Sequence, residues 1–261
     1  MKKLLLLFAA SFLLTACDKD KEANNIAQYF FGDQNVRKPY NGNDSTDISG
    51  QVSTEGLVAY YPFDGDTGDA SGNSLHGSFE GDVKVTTGHN ASSRCAYFPG
   101  NKNSYIYVPF SKLFQMNEWT INLWFYYEKA NNNVEALLQM GREEIPGTFL
   151  VGMNVVYFVN SEGVSQYGTL YENEKQLPSS STWHMITTQV KGTAVALYFD
   201  GKLIWNDYLS AKYINNVTDD LYIGVSRWNG TFDCPFDGCI DDVRIYNRIL
   251  SEEEIAVLYN N

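Results

Sequence analysis

Three constellations in this chain carry residue types that could do chemistry. The first is acidic. Glu135, Glu143 and Glu144 lie near a segment that reads as a strand, and a retaining glycosidase needs two carboxylates about 5–5.5 Å apart facing one cleft. Adjacent residues on a strand point to opposite faces, so Glu143 and Glu144 cannot form that pair, and their place before Pro146 reads as a solvated loop. The histidines, His76, His89 and His184, stand in no HExxH helix and beside no serine elbow. His184 follows Trp183 and reads as a strand residue held by packing. With no phosphate-cradling glycine loop either, catalysis is not expected.

The second constellation is a set of hard oxygen ligands. Asp64, Asp66, Asp69 and Asn73 fall in one Gly-rich loop, the donor type that suits calcium. Far along the chain, Asp241-Asp242-Val243-Arg244-Ile245 reads as a strand with Val243 and Ile245 facing the core. Period-two alternation then turns Asp241 inwards as well. A buried carboxylate is costly unless paired or metal-bound. Asp64, Asp69, Asn73 and Asp241 are therefore the candidate ligands of a structural Ca2+. The alternatives are that Asp241 pairs with an arginine and that the Asp-Gly steps are only turns.

The third is aromatic. Arg227-Trp228-Asn229 follows a strand, and a tryptophan flanked by Arg and Asn is hard to place in a core. Pyranose C–H faces pack on such a ring while hydroxyls pair with the polar neighbours, so these three residues form the candidate carbohydrate site. Arg142 and Tyr171 are poorer candidates. Of the thiols, Cys95, Cys234 and Cys239 can form at most one bridge, either Cys234–Cys239 or Cys95–Cys239. No Cys/His spacing of a zinc or redox site occurs.

These residues must be positioned by strands. Gly56–Phe63, Ser104–Phe110, Thr120–Tyr127, Ala136–Met140, Phe149–Gly152, Val155–Val159, His184–Val190, Leu221–Val225 and Ile240–Tyr246 are short apolar runs between turn residues. Thr120–Tyr127 alternates, with Ile121, Leu123, Phe125 and Tyr127 on one face. Asp200-Gly201 between two apolar runs predicts a tight hairpin. About a dozen strands at this spacing mean an all-β sandwich or barrel. Only the end is helical: Ser251 and Glu254 form a capping box before Ile255, Leu258 and Tyr259.

Composition agrees. Hydrophobic residues make up 44% and charged residues 19%, which is globular rather than disordered. Lys+Arg 19 against Asp+Glu 31 gives a net charge of −12, so phosphate backbones would be repelled and nucleic acid is excluded as a general partner. Residues 1–17 read as a signal peptide: Lys2 and Lys3, then the apolar run Leu4–Leu14, too short to span a bilayer. Leu14-Thr15-Ala16-Cys17 resembles the bacterial lipoprotein box, which implies cleavage before Cys17 and lipid attachment to it. Residues 18–54 read as a polar linker and 55–261 as the folded domain.

Several segments of that domain carry a resemblance. They are Gly56-Leu-Val-Ala-Tyr-Tyr-Pro-Phe-Asp-Gly65, Asp69-Ala-Ser-Gly-Asn73 with His76-Gly77, Trp119-Thr-Ile, Trp183-His184, Leu197-Tyr-Phe-Asp-Gly-Lys202, and Asp237-Gly-Cys-Ile-Asp-Asp-Val-Arg-Ile-Tyr-Asn-Arg248 with Glu254-Ile255. Together they resemble the laminin-G-like jelly-roll modules of the concanavalin A-like lectin/glucanase superfamily. The resemblance implies a two-sheet antiparallel jelly-roll sandwich with a short C-terminal helix. It also implies calcium where the opening and closing strands meet. The superfamily includes sugar-binding modules, adhesion modules, glycosidases and lyases, so the site must decide the function. The expectation is a non-catalytic, lectin-like module that binds a glycan or polysaccharide. A lipid anchor, its sole membrane contact, would tether it to the cell envelope, at the outer membrane or cell surface. The alternative is an adhesion module with a surface protein as partner, and a polysaccharide hydrolase or lyase comes third.

Overall fold

The computed structural model describes residues 51–261 other than 91, 131–133, 143–144, 170–176 and 229. In chain order the strands are β1 (Leu57–Tyr61), β2 (Ser78–Glu80), β3 (Lys84–Thr87), β4 (Arg94–Pro99), β5 (Tyr105–Val108), β6 (Glu118–Tyr126), β7 (Ala136–Met140), β8 (Phe149–Gly152) and β9 (Val155–Val159). They continue with β10 (Ser165–Thr169), β11 (Trp183–Lys191), β12 (Ala194–Phe199), β13 (Lys202–Tyr208), β14 (Leu221–Ile223), β15 (Ser226–Trp228), β16 (Thr231–Asp233) and β17 (Asp237–Tyr246), and helix α1 spans Glu252–Asn260. One sheet of eight strands runs β13-β12-β11-β6-β17-β4-β3, with β1 also on β17. A second, of seven, runs β10-β9-β8-β7-β14-β5-β2. All pairings are antiparallel. This is the expected sandwich, and a separate hairpin, β15–β16, stands apart from both sheets.

The alternation in β6 explains the layers. Ile121, Leu123 and Phe125 enter the core between the sheets, where they meet Leu138, Val151 and Phe158 of the seven-stranded sheet. Trp124 points the other way, into a second cluster with Met185, Tyr198 and Tyr246, which α1 covers with Ile255 and Leu258. Ser251 and Glu254 make the capping box in both directions, at 3.2 and 2.8 Å, and Arg248 binds the Glu254 carboxylate at 2.6 Å. The hairpin at Asp200-Gly201 has φ of 48° and 74°, as an Asp-Gly turn allows. At the sandwich edge a Cβ on Gly168 would lie 2.4 Å from the Trp205 ring. Glycine is what lets β10 and β13 close that side.

Strand β17 departs from simple alternation. Opposite β6 its register slips by one residue between Asp241 and Arg244, and Asp242 takes a left-handed φ of 51°. This is a β-bulge. Ile240, Val243 and Ile245 all reach the core, while Asp241 lies across from Trp124 on the outer face. The expectation that Asp241 shares the face of Val243 is therefore corrected: the extra residue flips it. Asp241 is nonetheless fully buried, because the segment before β4 covers it.

Candidate functional site

The outward face of the seven-stranded sheet carries one continuous row of partners. Ser78 of β2 opposes Tyr107 of β5, Tyr107 opposes Tyr222 of β14, and Tyr222 opposes Gln139 of β7. Gln139 opposes Leu150 of β8, Leu150 opposes Tyr157 of β9, and Tyr157 opposes Tyr167 of β10. Directly paired residues share a face. The alternate positions, such as Ile106, Leu221, Leu138, Val151 and Val156, fill the core. Four tyrosines with Ser78, Gln139 and Leu150, and no carboxylate, thus form the row.

The β15–β16 hairpin lies across the middle of this row. Gln139 holds its backbone from both sides: Arg227 N donates to Oε1 at 3.0 Å, and Nε2 donates to the Arg227 carbonyl at 3.1 Å. Trp228 packs edge-on to Tyr157 with centroids 5.3 Å apart, and Tyr157 meets Tyr167 at 5.0 Å. Phe232 sits against Tyr105 at 4.5 Å and Tyr222 at 5.4 Å. The hairpin buries Tyr222 and Tyr157 but leaves Tyr107, Arg227 and Trp228 partly open and Tyr167 49% exposed. Arg227 Nη1 donates to the Tyr222 hydroxyl at 3.2 Å. Burial raises the pKa of Tyr222, with Asp220 adding and Arg227 opposing. Burial likewise raises that of Tyr107, with help from Asp220 and Glu80. These phenols stay neutral and offer hydroxyls beside ring faces, a surface suited to holding a sugar.

Arg227 and Trp228, expected in a loop, are thus in a strand of this hairpin, while Asn229, Tyr171, Glu143, Glu144 and Cys17 lie outside the described residues. Arg142 is engaged by Asp219 at 3.3 Å. Glu135 is fully buried and accepts from Asp237 N at 2.9 Å, so it is no cleft acid.

The expected calcium ligands divide into separate hydrogen-bond sets. Asp69 accepts from Tyr60 N and Ser71 N on one oxygen and from Leu75 N and Ser71 Oγ on the other. Burial raises its pKa, but these donors outweigh it and hold the carboxyl below the usual range. Asn73 Nδ2 donates to the Val58 carbonyl at 2.9 Å, and Asp64 accepts from Arg94 N at 2.9 Å. Asp241 accepts from His89 N, Ser93 Oγ and Asp242 N, and its Oδ2 lies 2.8 Å from His89 Nδ1, which places the proton on that nitrogen. His89, Asp241 and Asp242 could present ligand atoms within 4.8 Å of one another. Asp242 already binds Tyr60 Oη at 2.6 Å and Arg244 at 3.1 Å. An imidazole and carboxylates satisfied by N–H and O–H donors are not the oxygen cage of calcium. The expected calcium set does not fit this geometry. Asp69 and Asn73 brace the loop after β1, and Asp241 anchors the segment before β4, whose His89 stacks on Trp124 at 4.7 Å.

A Ser-His-Asp chain invisible in the sequence does form. Ser179 Oγ lies 3.0 Å from His184 Nε2, and His184 Nδ1 lies 2.9 Å from Asp200 Oδ2. Nε2 also faces the Ser179 carbonyl at 3.0 Å. With an acceptor on each side, both ring nitrogens are best used as donors. Burial lowers the His184 pKa, but Asp200 and the Ser179 carbonyl outweigh it and raise it. The trio ties the segment before β11 to the Asp200 turn.

No curated protein sequence matches the chain. Among solved structures it is similar to domain 4 of AbnA, a GH43 extracellular arabinanase from Geobacillus stearothermophilus, in complex with arabinotriose. The identity is 20% and the TM-score 0.63, over 78% of this chain and 98% of that one. The binding domain of Paraclostridial Mosquitocidal Protein 1 is 20% identical with a TM-score of 0.61, over 80% of this chain and 53% of that one. The binding domain of Botulinum Neurotoxin DC in complex with SialylT is 13% identical with a TM-score of 0.60, over 79% and 52%. The chain thus spans about half of each toxin binding domain. At these identities the likeness concerns the fold. Residues 99–256, more than half of the chain, match the Laminin_G_3 model, and the chain belongs to that family of the concanavalin A-like lectin/glucanases superfamily.

Proposed function

We propose that the domain binds carbohydrate, without cleaving it, on the outward face of its seven-stranded sheet. The observation that carries this is the row Tyr107–Tyr222–Gln139–Leu150–Tyr157–Tyr167 with Arg227 and Trp228 laid over it. Half-open rings supply stacking surface for sugar C–H faces. Arg227, the phenols, Ser78 and the flanking acids Glu80 and Asp220 supply partners for hydroxyls. Glu80 and Asp220 flank the row only at its Tyr107 end, and the row positions from Tyr107 to Tyr167 carry no acid, which supports binding rather than hydrolysis. An arabinanase domain caught with arabinotriose on the same fold supports the reading. The apolar leader and the Leu14–Cys17 box support a lipid anchor at the cell envelope, where holding a polysaccharide is useful.

A surface protein is the second reading. It is favoured by a different place, the edge strand β13, where Leu203, Ile204 and Tyr208 are exposed. A panel of polysaccharides, read both by calorimetry and by release of reducing ends, separates the readings. Saturable heat with one glycan class and no new reducing ends is expected. New reducing ends would overturn the non-catalytic reading. Silence across the panel from a folded chain would shift the function to a protein partner.

A further inference from the structure

We propose that the ligand of this face carries a carboxylate, held by Arg227, so that it is an acidic sugar of the uronic or sialic acid type. This rests on the glycan-binding reading above. Arg227 is the exception among the described arginines that are buried or half-buried. Three other described arginines are buried or half-buried, and each holds a carboxylate: Arg142 with Asp219 at 3.3 Å, Arg244 with Asp242 at 3.1 Å, and Arg248 with Glu254 at 2.6 Å. Arg227 is half-buried and has no ion pair among the described residues. That happens in a chain with 31 acids against 19 bases.

Its guanidinium uses one N–H on the Tyr222 hydroxyl, while Nε is out of contact with solvent and meets no acceptor among the described residues. A guanidinium stays charged at any working pH. Withdrawing it from water without an anion is costly, and its planar fork matches a carboxylate. The position is built rather than accidental. Gln139 is fully buried and fixes the Arg227 backbone at both its N–H and its carbonyl, so the side chain springs from a fixed point on the aromatic row.

The neighbouring charges set a direction. Glu80 accepts from Ser78 Oγ at 2.9 Å, and Asp220 accepts from Phe110 N at 2.8 Å. Both act on Tyr107, and neither reaches Arg227 as an ion pair. They repel an anion at the Tyr107 end and favour hydroxyls there. The sugar therefore lies with its carboxylate over Arg227, beside Trp228, and its hydroxyl-rich edge towards Tyr107.

Ligands matched in everything but the carboxylate charge test this on the full chain: trigalacturonate against its methyl ester, and sialyllactose against its methyl ester. One acidic member should bind at least about tenfold tighter than its neutral partner, the scale of a charged hydrogen bond. The preference should shrink with added salt and vanish in Arg227→Gln, with folding checked by circular dichroism. Equal affinity for both members of a pair, lost in Trp228→Ala, would overturn the carboxylate while leaving glycan binding standing. No binding of any of the four, nor of the wider panel, would overturn the glycan reading itself.

Discussion

Gln139→Met keeps the shape of a buried side chain and removes its polar atoms. The structure gives Gln139 three bonds: Nε2 to the Gly141 carbonyl at 2.9 Å, Nε2 to the Arg227 carbonyl at 3.1 Å, and Arg227 N to Oε1 at 3.0 Å. At about 1 kcal/mol net for each, the loss comes to about 3 kcal/mol. For a domain of this size that lowers Tm by roughly 6–12 °C. The slope of a urea transition should not change, because the surface exposed on unfolding is the same. If the hairpin can lift away alone, the global loss is smaller and appears instead as faster hydrogen exchange at the Arg227 amide. Thermal melting and amide exchange read the two routes together. A Tm within about 2 °C of the parent, with Arg227 exchange unaltered, would refute the idea that Gln139 pins the hairpin to the sheet.

Three further outcomes are expected. The His184 pKa is raised in the folded state by Asp200 and the Ser179 carbonyl against burial; its stabilisation is complete below the unfolded value of about 6.5 and is lost as pH climbs through the folded value. Wild-type Tm should therefore fall relative to His184→Asn as pH climbs above about 6.5, and parallel curves would contradict the pairing. Since Asp69 and Asp241 are satisfied by protein donors, chelation should leave Tm unchanged, and a rise on adding calcium would restore the metal. The Cys95 thiol donates to the Thr87 carbonyl at 3.1 Å, and Cys95 on β4 neighbours Cys239 on the paired strand β17. A thiol–disulfide oxidant should link these two and leave Cys234 free to alkylate, and peptide mapping that finds Cys234–Cys239 would contradict this.

Local features of the fold were legible because they are local. The alternation of Ile121, Leu123 and Phe125, the Asp200-Gly201 turn and the Ser251–Glu254 box each fit within a few residues, and each was found as read. Asp241 was misassigned because a bulge adds one residue without any glycine or proline to announce it; Asp242 carries the positive φ. The hairpin at 226–233 was missed because Ser226-Arg-Trp and Thr231-Phe-Asp are too short and polar to show a period. Trp228 could still be singled out by its polar neighbours. Its platform could not, since the row joins seven strands and β14 is inserted between β7 and β5 from far along the chain. The His184–Asp200 and His89–Asp241 pairs are likewise products of strand pairing, and only a register, not a spacing, brings them together.

The central claim is that sugars bind on the outward face of the seven-stranded sheet, at the open residues Tyr107, Tyr167, Arg227 and Trp228 around the β15–β16 hairpin. The most direct test compares the wild-type chain with Trp228→Ala in titrations of the glycan that the panel identifies, with melting curves to confirm that both are folded. The account predicts that the variant melts near the parent, while its affinity falls about tenfold or more, as loss of a stacked ring implies. Full affinity in a folded Trp228→Ala variant would place the sugar elsewhere and contradict it.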